Sequence, residues 1–410
     1  MQLLLVDLAA GGDGAARDLV RRTLGAMAAS PLRDGVEGGF FRYAVRRDWH
    51  EPHYERMLYD NALLLRAYSR LSAMTEGQES AAAADVAAGI ADFLLATLQR
   101  PDGGFGSAQD SESDLGEGGY YALGAEDRRR ATPPKVDEKV LTGWNGLAIG
   151  ALAEAGARHG RPDWTAAALR AADHVLARHT TPDGALLRAS TERGVSTAVA
   201  TLEDYGMFAD GILRLALATG EARYAEEARR IVDACVTDDE RVFAAPGGGD
   251  PVLASQGLGL ASDPSEGAYP SGLSAVATAA FTLSQVVAAP RYRLAAERAV
   301  AQVAERAIES PTAFGAMLSL AASLRDPATQ LVVVSGGAGS SELASFAHAW
   351  FRPGLVTVVV TRQQAEEWSA EGFDLFDDRV AQGGAETAYL CRDFVCRLPV
   401  TSLEALVDAV

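Results

Sequence analysis

Residues 144–179 read WNGLAIGALAEAGARH, then GRP, then DWTAAALRAADHVLARH. The first segment repeats apolar residues every three or four positions, and Ala148 to Ala153 carry no charge. Gly160-Arg161-Pro162 then imposes a break, because glycine accepts the left-handed backbone that closes a helix and proline opens the next one. The second segment keeps the helical period but carries Asp163, Arg170, Asp173 and Arg178. Such a pair predicts a helical hairpin with one buried member and one solvent-facing member.

The same pattern recurs in both directions. Apolar residues repeat at helical spacing over 15–30, 56–73, 82–99, 144–159, 163–179, 203–219, 222–236, 272–289, 291–309 and 312–324, with no good strand alternation between them. Short turns join the members of a pair at Glu76-Gly77, Gly160-Arg161-Pro162 and Gly220-Glu221. Longer Gly-rich loops separate the pairs, at Pro101–Phe105, Thr181–Leu186 and around Gly247-Gly248-Gly249. Stacked hairpins either stay open as a solenoid or close on themselves. An apolar first member with a charged second member fits closure, so the expectation for 1–325 is a mainly α chain folded as an (α/α) toroid.

After residue 325 the period changes. Gln330–Val334, Leu355–Val360 and Thr387–Cys391 alternate as strands, with helical stretches between them. Residues 326–410 are therefore expected to form a small C-terminal α/β domain with a mostly parallel sheet. The turn Ser335-Gly336-Gly337-Ala338-Gly339 lacks the lysine and spacing of a nucleotide loop and reads as a crossover turn.

Composition excludes several function classes. The chain has 410 residues, 48% hydrophobic and 22% charged, enough to bury a large core. Its 37 basic and 55 acidic residues give a net charge of −18, which disfavours nucleic acid and anionic membrane as partners. The longest uncharged run, Ser271–Pro290, is rich in Ala, Ser and Thr and reads as a helix buried on all sides rather than a membrane span. The N-terminus has no basic region and Asp7 interrupts its apolar stretch, so no signal peptide is read there, and the strand-like Gln2–Val6 is the competing candidate to cover part of any apolar face that a partner would otherwise fill. Three cysteines without a CxxC argue against a disulfide scaffold, a zinc site or a dithiol motif, and point to a reducing cytoplasm. No metal or other cofactor is expected. Only Lys135 and Lys139 among the 37 basic residues are lysines, so Lys139 is expected to hold a buried ion pair that arginine would not fit.

Polar residues cluster where the inner helices begin. The stretches are Trp49–Asn61 with His53, Asp60 and Asn61, then Asp137-Glu138-Lys139 leading to Trp144 and Asn145, then Glu203-Asp204-Tyr205, then Tyr269-Pro270-Ser271. Helix N-termini favour carboxylates and anionic or polyhydroxylated ligands. Trp49, Trp144, Tyr205 and Tyr269 add flat apolar faces, so the set suits a sugar. Each residue also has a plainer role open to it. Thr201 and Asp204 have capping-box spacing, Thr142 and Ser271 read as ordinary caps, His53 pairs locally with Glu55, and Asp60 is a paired structural acid. His159, His174, His179 and His348 read as helix-surface or helix-end residues.

At these residues the chain resembles a known family, the thioredoxin-domain proteins related to spermatogenesis-associated protein 20. The matching strings are Gly38–Tyr43, Pro52–Ala62, Asp110–Glu112 with Glu117–Tyr121, Asp137–Leu147, Leu202–Tyr205, Pro270–Gly272 and Cys391–Cys396, in family order over about residues 20–405. The resemblance implies a toroid of the six-hairpin glycosidase type, akin to sugar epimerases and unsaturated glucuronyl hydrolases. The resemblance also implies an N-terminal thioredoxin-like domain, and none is expected from the residues before 14. Leu273 replaces the usual Asn, and the chain between Tyr121 and Pro134 is shorter than in many relatives.

Together these readings suggest a carbohydrate-active enzyme, of glycoside hydrolase or N-acylglucosamine epimerase type. Asp60 and Asp204 would be the catalytic carboxyls, with Glu203 beside them. His53 would be the base if the reaction is an epimerisation. Asn61, Asp137, Glu138, Lys139, Trp144, Asn145, Tyr205 and Ser271 would contact the sugar. The alternative is a non-catalytic sugar- or protein-binding module of a thioredoxin-linked system. An incomplete first hairpin would leave Phe314, Met317, Leu318 and Leu320 facing a gap, filled by self-association or by a separate thioredoxin-like partner.

Overall fold

The computed structural model describes residues 2–248, 255–256, 263–336 and 341–410. Two compact units divide it, Gln2–Ala200 and Thr201–Val410. The first contains α1 (Gln2–Ala10), α2 (Gly14–Ala29), α3 (Leu58–Met74), α4 (Gly77–Phe93, continued by a π turn to Leu98), α5 (Ala125–Arg128), α6 (Thr142–His159) and α7 (Pro162–His179). Helices α1 and α2, α3 and α4, and α6 and α7 pack as hairpins, and α3 lies against both α1 and α6. Gly160 closes α6 in the left-handed conformation and Pro162 opens α7, as the sequence predicts.

Residues 2–6 correct one expectation, because they are helical and not strand-like. Leu4, Val6 and Ala9 are buried, and the Asp7 carboxylate accepts a hydrogen bond from Arg70 of α3 at 2.8 Å. A short apolar run does not by itself distinguish strand from helix, and here packing against α2 and α3 decides.

A local repeat holds the inner helices in this unit. The Asn61 amide oxygen accepts from Phe40 N (2.7 Å), while its amide nitrogen donates to the carbonyls of Phe40 and Met57. Asn145 makes the same three bonds, to Phe105 N, Phe105 O and Leu141 O. Each Asn is the fourth residue of its helix and fastens a Gly-Gly-Phe string, Gly38-Gly39-Phe40 or Gly103-Gly104-Phe105. Both strings begin with a positive-φ glycine lying on the hairpin's outer helix. A Cβ on Gly38 would stand 2.0 Å from Gly89 O of α4, and one on Gly103 would stand 2.7 Å from Arg170 O of α7.

The second unit contains α8 (Leu202–Thr219), α9 (Ala222–Cys235), α10 (Gly272–Leu283), α11 (Pro290–Glu309) and α12 (Gly315–Leu324). Helices α8 and α9 form a hairpin, α10 packs on α8 and α11, and α12 packs on α10 and α11. Helix α10 is buried at every position except Thr278, the all-round burial expected of its uncharged sequence. Phe314, Met317 and Leu320 are also buried, so these residues face no open gap. Leu318 is half-buried.

The strands of this unit are β1 (Thr329–Val334), β2 (Leu355–Val360), β3 (Thr387–Arg392) and β4 (Val395–Cys396), in the order β2-β1-β3-β4. Only β1 and β2 are parallel; β3 runs antiparallel to β1, and β4 folds back on β3. The sheet is therefore mixed, and the expectation of a mostly parallel one is corrected. Helices α13 (Glu342–Ala349) and α15 (Leu403–Ala409) cover it through Leu343, Ala347 and Leu406 packed on Leu331, Val333 and Ala388. Helix α14 (Arg362–Ala370) ties the sheet to α8, since fully buried Trp368 donates from its indole to Gly220 O at 2.7 Å. Residues 337–339 of the Gly-rich turn, and Gly249 of the earlier loop, lie outside the described residues.

The cysteine expectation is also corrected. Cys391 and Cys396 form a disulfide, because the β3–β4 register sets them directly opposite one another. The odd count arises from Cys235, which is buried and free.

Candidate active site at the helix starts

In the Gln2–Ala200 unit, three two-residue strands lead into the inner helices. Arg56-Met57 pairs with Ala108-Gln109, which pairs with Val136-Asp137. This ribbon sets the starts of α3 and α6 side by side, so Tyr59 meets Trp144 edge to face at 4.7 Å. Asp60 is the third residue of α3 and Trp144 the third of α6. The structure thus brings Asp60, Trp144 and the Asp137–Lys139 turn to one end of this unit.

The Asp60 carboxyl is strongly perturbed. Burial pushes it up to about 7, against the opposing pull of the Arg42 guanidinium. Its Oδ2 is buried and makes no hydrogen bond. A carboxyl poised near neutrality can both give and take a proton. Arg42 is held by Glu55 at 2.9 Å. Glu55 also meets His53 Nε2 at 3.0 Å, while His53 Nδ1 lies 3.4 Å from Glu117 and the ring stacks on Tyr43. His53 therefore stands between two carboxylates, which is the local pairing the sequence also allows.

Lys139 pairs with Asp137 at 3.0 Å, but its side chain is 55% exposed. The expectation of a buried Lys139 is corrected, because the turn before α6 leaves both members of the pair exposed to solvent. Burial pushes the Asp137 carboxyl up, but hydrogen bonds from Lys139 and Ser107 and the Lys139 charge outweigh it, so the net shift is downward. Glu138 is exposed and pairs with Arg100 at 3.1 Å. Asn61 and Asn145 are fully buried with their amides engaged by backbone, so in this structure they position the loops.

In the Thr201–Val410 unit the predicted carboxylate Asp204 serves a helix end. Asp204 Oδ2 accepts from Thr201 N (2.9 Å) and Thr201 Oγ1 (3.0 Å), the capping box read from the sequence. Tyr205 is buried and Glu203 is partly exposed. Ser271 caps α10 through Ser274 N. The Ser274 hydroxyl donates to Glu266, whose carboxylate takes the N–H groups of Ala316 and Met317 at the start of α12. A Cβ on Gly272 would stand 2.7 Å from Glu203 N, so α8 and α10 begin in direct contact.

Sequence reasoning missed two groups. Fully buried Arg56 binds Asp34, Glu37, Gln109 and Gly38 O, while Arg128 joins Asp34, and the Arg56 guanidinium lies over the Phe93 ring at 4.2 Å. Nothing in the string Tyr54-Glu55-Arg56-Met57 marks which charge is buried. The second is His179, which ends α7 as the sequence allowed but is wholly buried. The Thr142 hydroxyl donates to Leu187 O, leaving its oxygen to accept from His179 Nδ1; His179 Nε2 then accepts from the Ser190 hydroxyl. Thr142 is thus the first residue of α6 and not its cap. Burial, with His174 and Arg178 nearby, drives the His179 pKa down to about 4. His174 is likewise buried and bonds Asp102 O at 2.9 Å. Among the described residues, no group of three or more His, Cys, Asp or Glu is placed to hold a metal ion.

No family model matches the chain. Human spermatogenesis-associated protein 20 is 25% identical over 94% of this chain and 62% of its own length, so the chain spans about three fifths of that relative. The mouse protein is 38% identical over 30% of this chain and 16% of its own length. An uncharacterised Caenorhabditis elegans protein is 22% identical over 95% of this chain and 66% of its own length. Among solved structures, D-mannose isomerase superposes with a TM-score of 0.51 at 13% identity, covering 70% of this chain and 69% of that one. Cellobiose 2-epimerase from Bacillus thermoamylovorans B4167 gives 0.49 at 11% identity, covering 67% of each. The chain is homologous to spermatogenesis-associated protein 20 over most of its own length, and its mainly helical fold is similar to that of D-mannose isomerase.

Proposed function

We propose that this chain acts on a sugar, with Asp60 as the acid–base group at the start of α3. The carrying observation is the Asp60 carboxyl itself, pushed up to about 7 with one buried oxygen unbonded. Trp144 would stack on a CH face of the ring. Asp60, partly protonated at neutral pH, would donate its proton to a glycosidic or ring oxygen and take one back from the attacking water or the closing hydroxyl. Arg42, facing Asp60, would stabilise the carboxylate formed by that donation. The fold shared with sugar-processing enzymes supports a sugar as ligand.

The test is a thermal-shift screen of neutral and uronic sugars, followed by product analysis for every sugar that binds. A sugar that stabilises and is converted by the natural protein should still bind Asp60→Asn, but its conversion should fall at least a hundredfold, the scale of lost acid–base catalysis. Unchanged conversion by Asp60→Asn would overturn the role of Asp60. Binding without conversion in the natural protein would identify a sugar-binding module instead.

A further inference from the structure

We propose that Cys391 and Cys396 form a thiol–disulfide exchange site whose co-reactant is a dithiol and whose attacked sulfur is that of Cys396. The two sulfurs differ in surroundings. Cys391 is fully buried in β3, whereas Cys396 lies part-exposed in the edge strand β4. Val395 beside it in the strand and Leu398 just beyond the strand are 77% and 90% exposed, and Cys391 is closed to solvent, so an incoming thiol meets Cys396 first. Arg379 donates from its guanidinium to Cys396 Sγ at 3.1 Å. Its Nε bonds Leu375 O and its guanidinium lies over the Tyr389 ring at 5.1 Å, which fixes the charge beside that sulfur. Access directs the first attack to Cys396, and the fixed cation beside it favours its thiolate, the form that leaves in the second exchange step.

The fold does not need the bond. Its partners are five residues apart, and a crosslink closing so short a loop restrains the unfolded chain least. The hairpin is closed without it by Arg397 N to Leu390 O, and its tip is docked by Asp393 N to Ala328 O and by Ala328 N to Asp393 Oδ1.

The exchange balances as follows. A thiolate of the dithiol attacks Cys396 Sγ; the new S–S bond forms as the Cys391–Cys396 bond breaks, and the electron pair passes to Cys391 Sγ, which takes up a proton. The second thiol of the dithiol, deprotonated, attacks its own sulfur in the mixed disulfide. Cys396 leaves as a thiolate beside Arg379. The dithiol is oxidised to its disulfide, and the protein gains two thiols. A monothiol serves poorly, because Cys391 stands in register with Cys396 and expels it before a second molecule arrives.

The experiment treats the full chain with dithiothreitol or, at equal thiol concentration, with 2-mercaptoethanol, then alkylates and maps the modified cysteines by mass spectrometry. Cys235 is the internal control, since burial pushes its thiol up to about 12 and it stays unmodified while the chain is folded. The expected result is reduction by dithiothreitol several-fold faster than by the monothiol, with Cys235 protected and Cys396 alkylated before Cys391. Arg379→Leu should slow alkylation of Cys396 several-fold, and Arg379→Lys should restore it. Modification of Cys391 first, exposure of Cys235 on reduction, equal rates with the two reductants, or an Arg379→Leu variant that alkylates at the natural rate would each overturn the proposal.

Discussion

Lysine 139 and arginine 56 show how residue type and residue energy part company. Lys139 stands out in the sequence because the chain is otherwise so poor in lysine, yet it holds an exposed pair with Asp137. Such pairs contribute about 0–1 kcal/mol. Arg56 is one arginine among many in the sequence, yet it is fully buried and bound to two carboxylates, a side-chain amide and a backbone carbonyl. Removing one partner from such a network leaves uncompensated buried charge and costs roughly 3–5 kcal/mol. Urea denaturation should therefore place Lys139→Ala within about 0.5 kcal/mol of the natural protein and Arg56→Ala several kcal/mol below it. Equal losses in the two variants would contradict the burial described for both. Residue type alone could not rank them, because burial is decided by chain segments distant in sequence: Asp34, Gln109 and Arg128 converge here only after three loops have folded.

At the scale of elements, hairpin periodicity was legible and the loop pins were partly so. Apart from the short α5, which no span predicted, and α10, which ends at Leu283 and not 289, the helices from α2 to α12 fall close to the predicted spans because glycine, proline and the helical period are local signals. Residues 2–6 failed as a local reading because α1 is too short to show a period, and only Asp7 meeting Arg70 reveals its packing. The Asn pins carried a usable signal: two Gly-Gly-Phe strings, followed 21 and 40 residues later by Asn61 and Asn145 at matched helix positions. Their type suggested ligand contact, but their register in the helix makes them anchors. Asn61→Ala would strand the buried N–H and C=O of Phe40, and Asn145→Ala those of Phe105. Each unsatisfied group costs about 1–3 kcal/mol, so either variant should lose roughly 3 kcal/mol. Hydrogen exchange should rise first at Phe40 in one variant and at Phe105 in the other. Protection that falls evenly over the whole unit, or not at all, would show that the loops are held by something else.

For the molecule as a whole, two buried groups act on stability with opposite sign. Asp60 is raised from 3.8 to about 7, so between those values the folded protein keeps a proton that the unfolded chain has lost. Its contribution is complete below pH 3.8 and is lost as pH rises through 7. His179 is lowered from 6.5 to about 4, so over that range the unfolded chain carries a proton that the folded protein refuses. Its contribution is complete above pH 6.5 and is lost as pH falls through 4. Each slope has a magnitude of about 1.4 kcal/mol per pH unit, and between pH 4 and 6.5 the two nearly cancel. Separate substitutions should expose them. In Asp60→Asn, stability relative to the natural protein should climb as pH rises from 4 to 6.5, by up to about 3 kcal/mol. In His179→Gln it should decline over the same interval by a similar amount, and in the double variant the two trends should offset again. Chemical denaturation at four or five pH values measures all three curves. If both single variants run parallel to the natural protein, Asp60 is ionised when folded and His179 titrates as in the unfolded chain. The acid–base role assigned to Asp60 would then lose its physical basis.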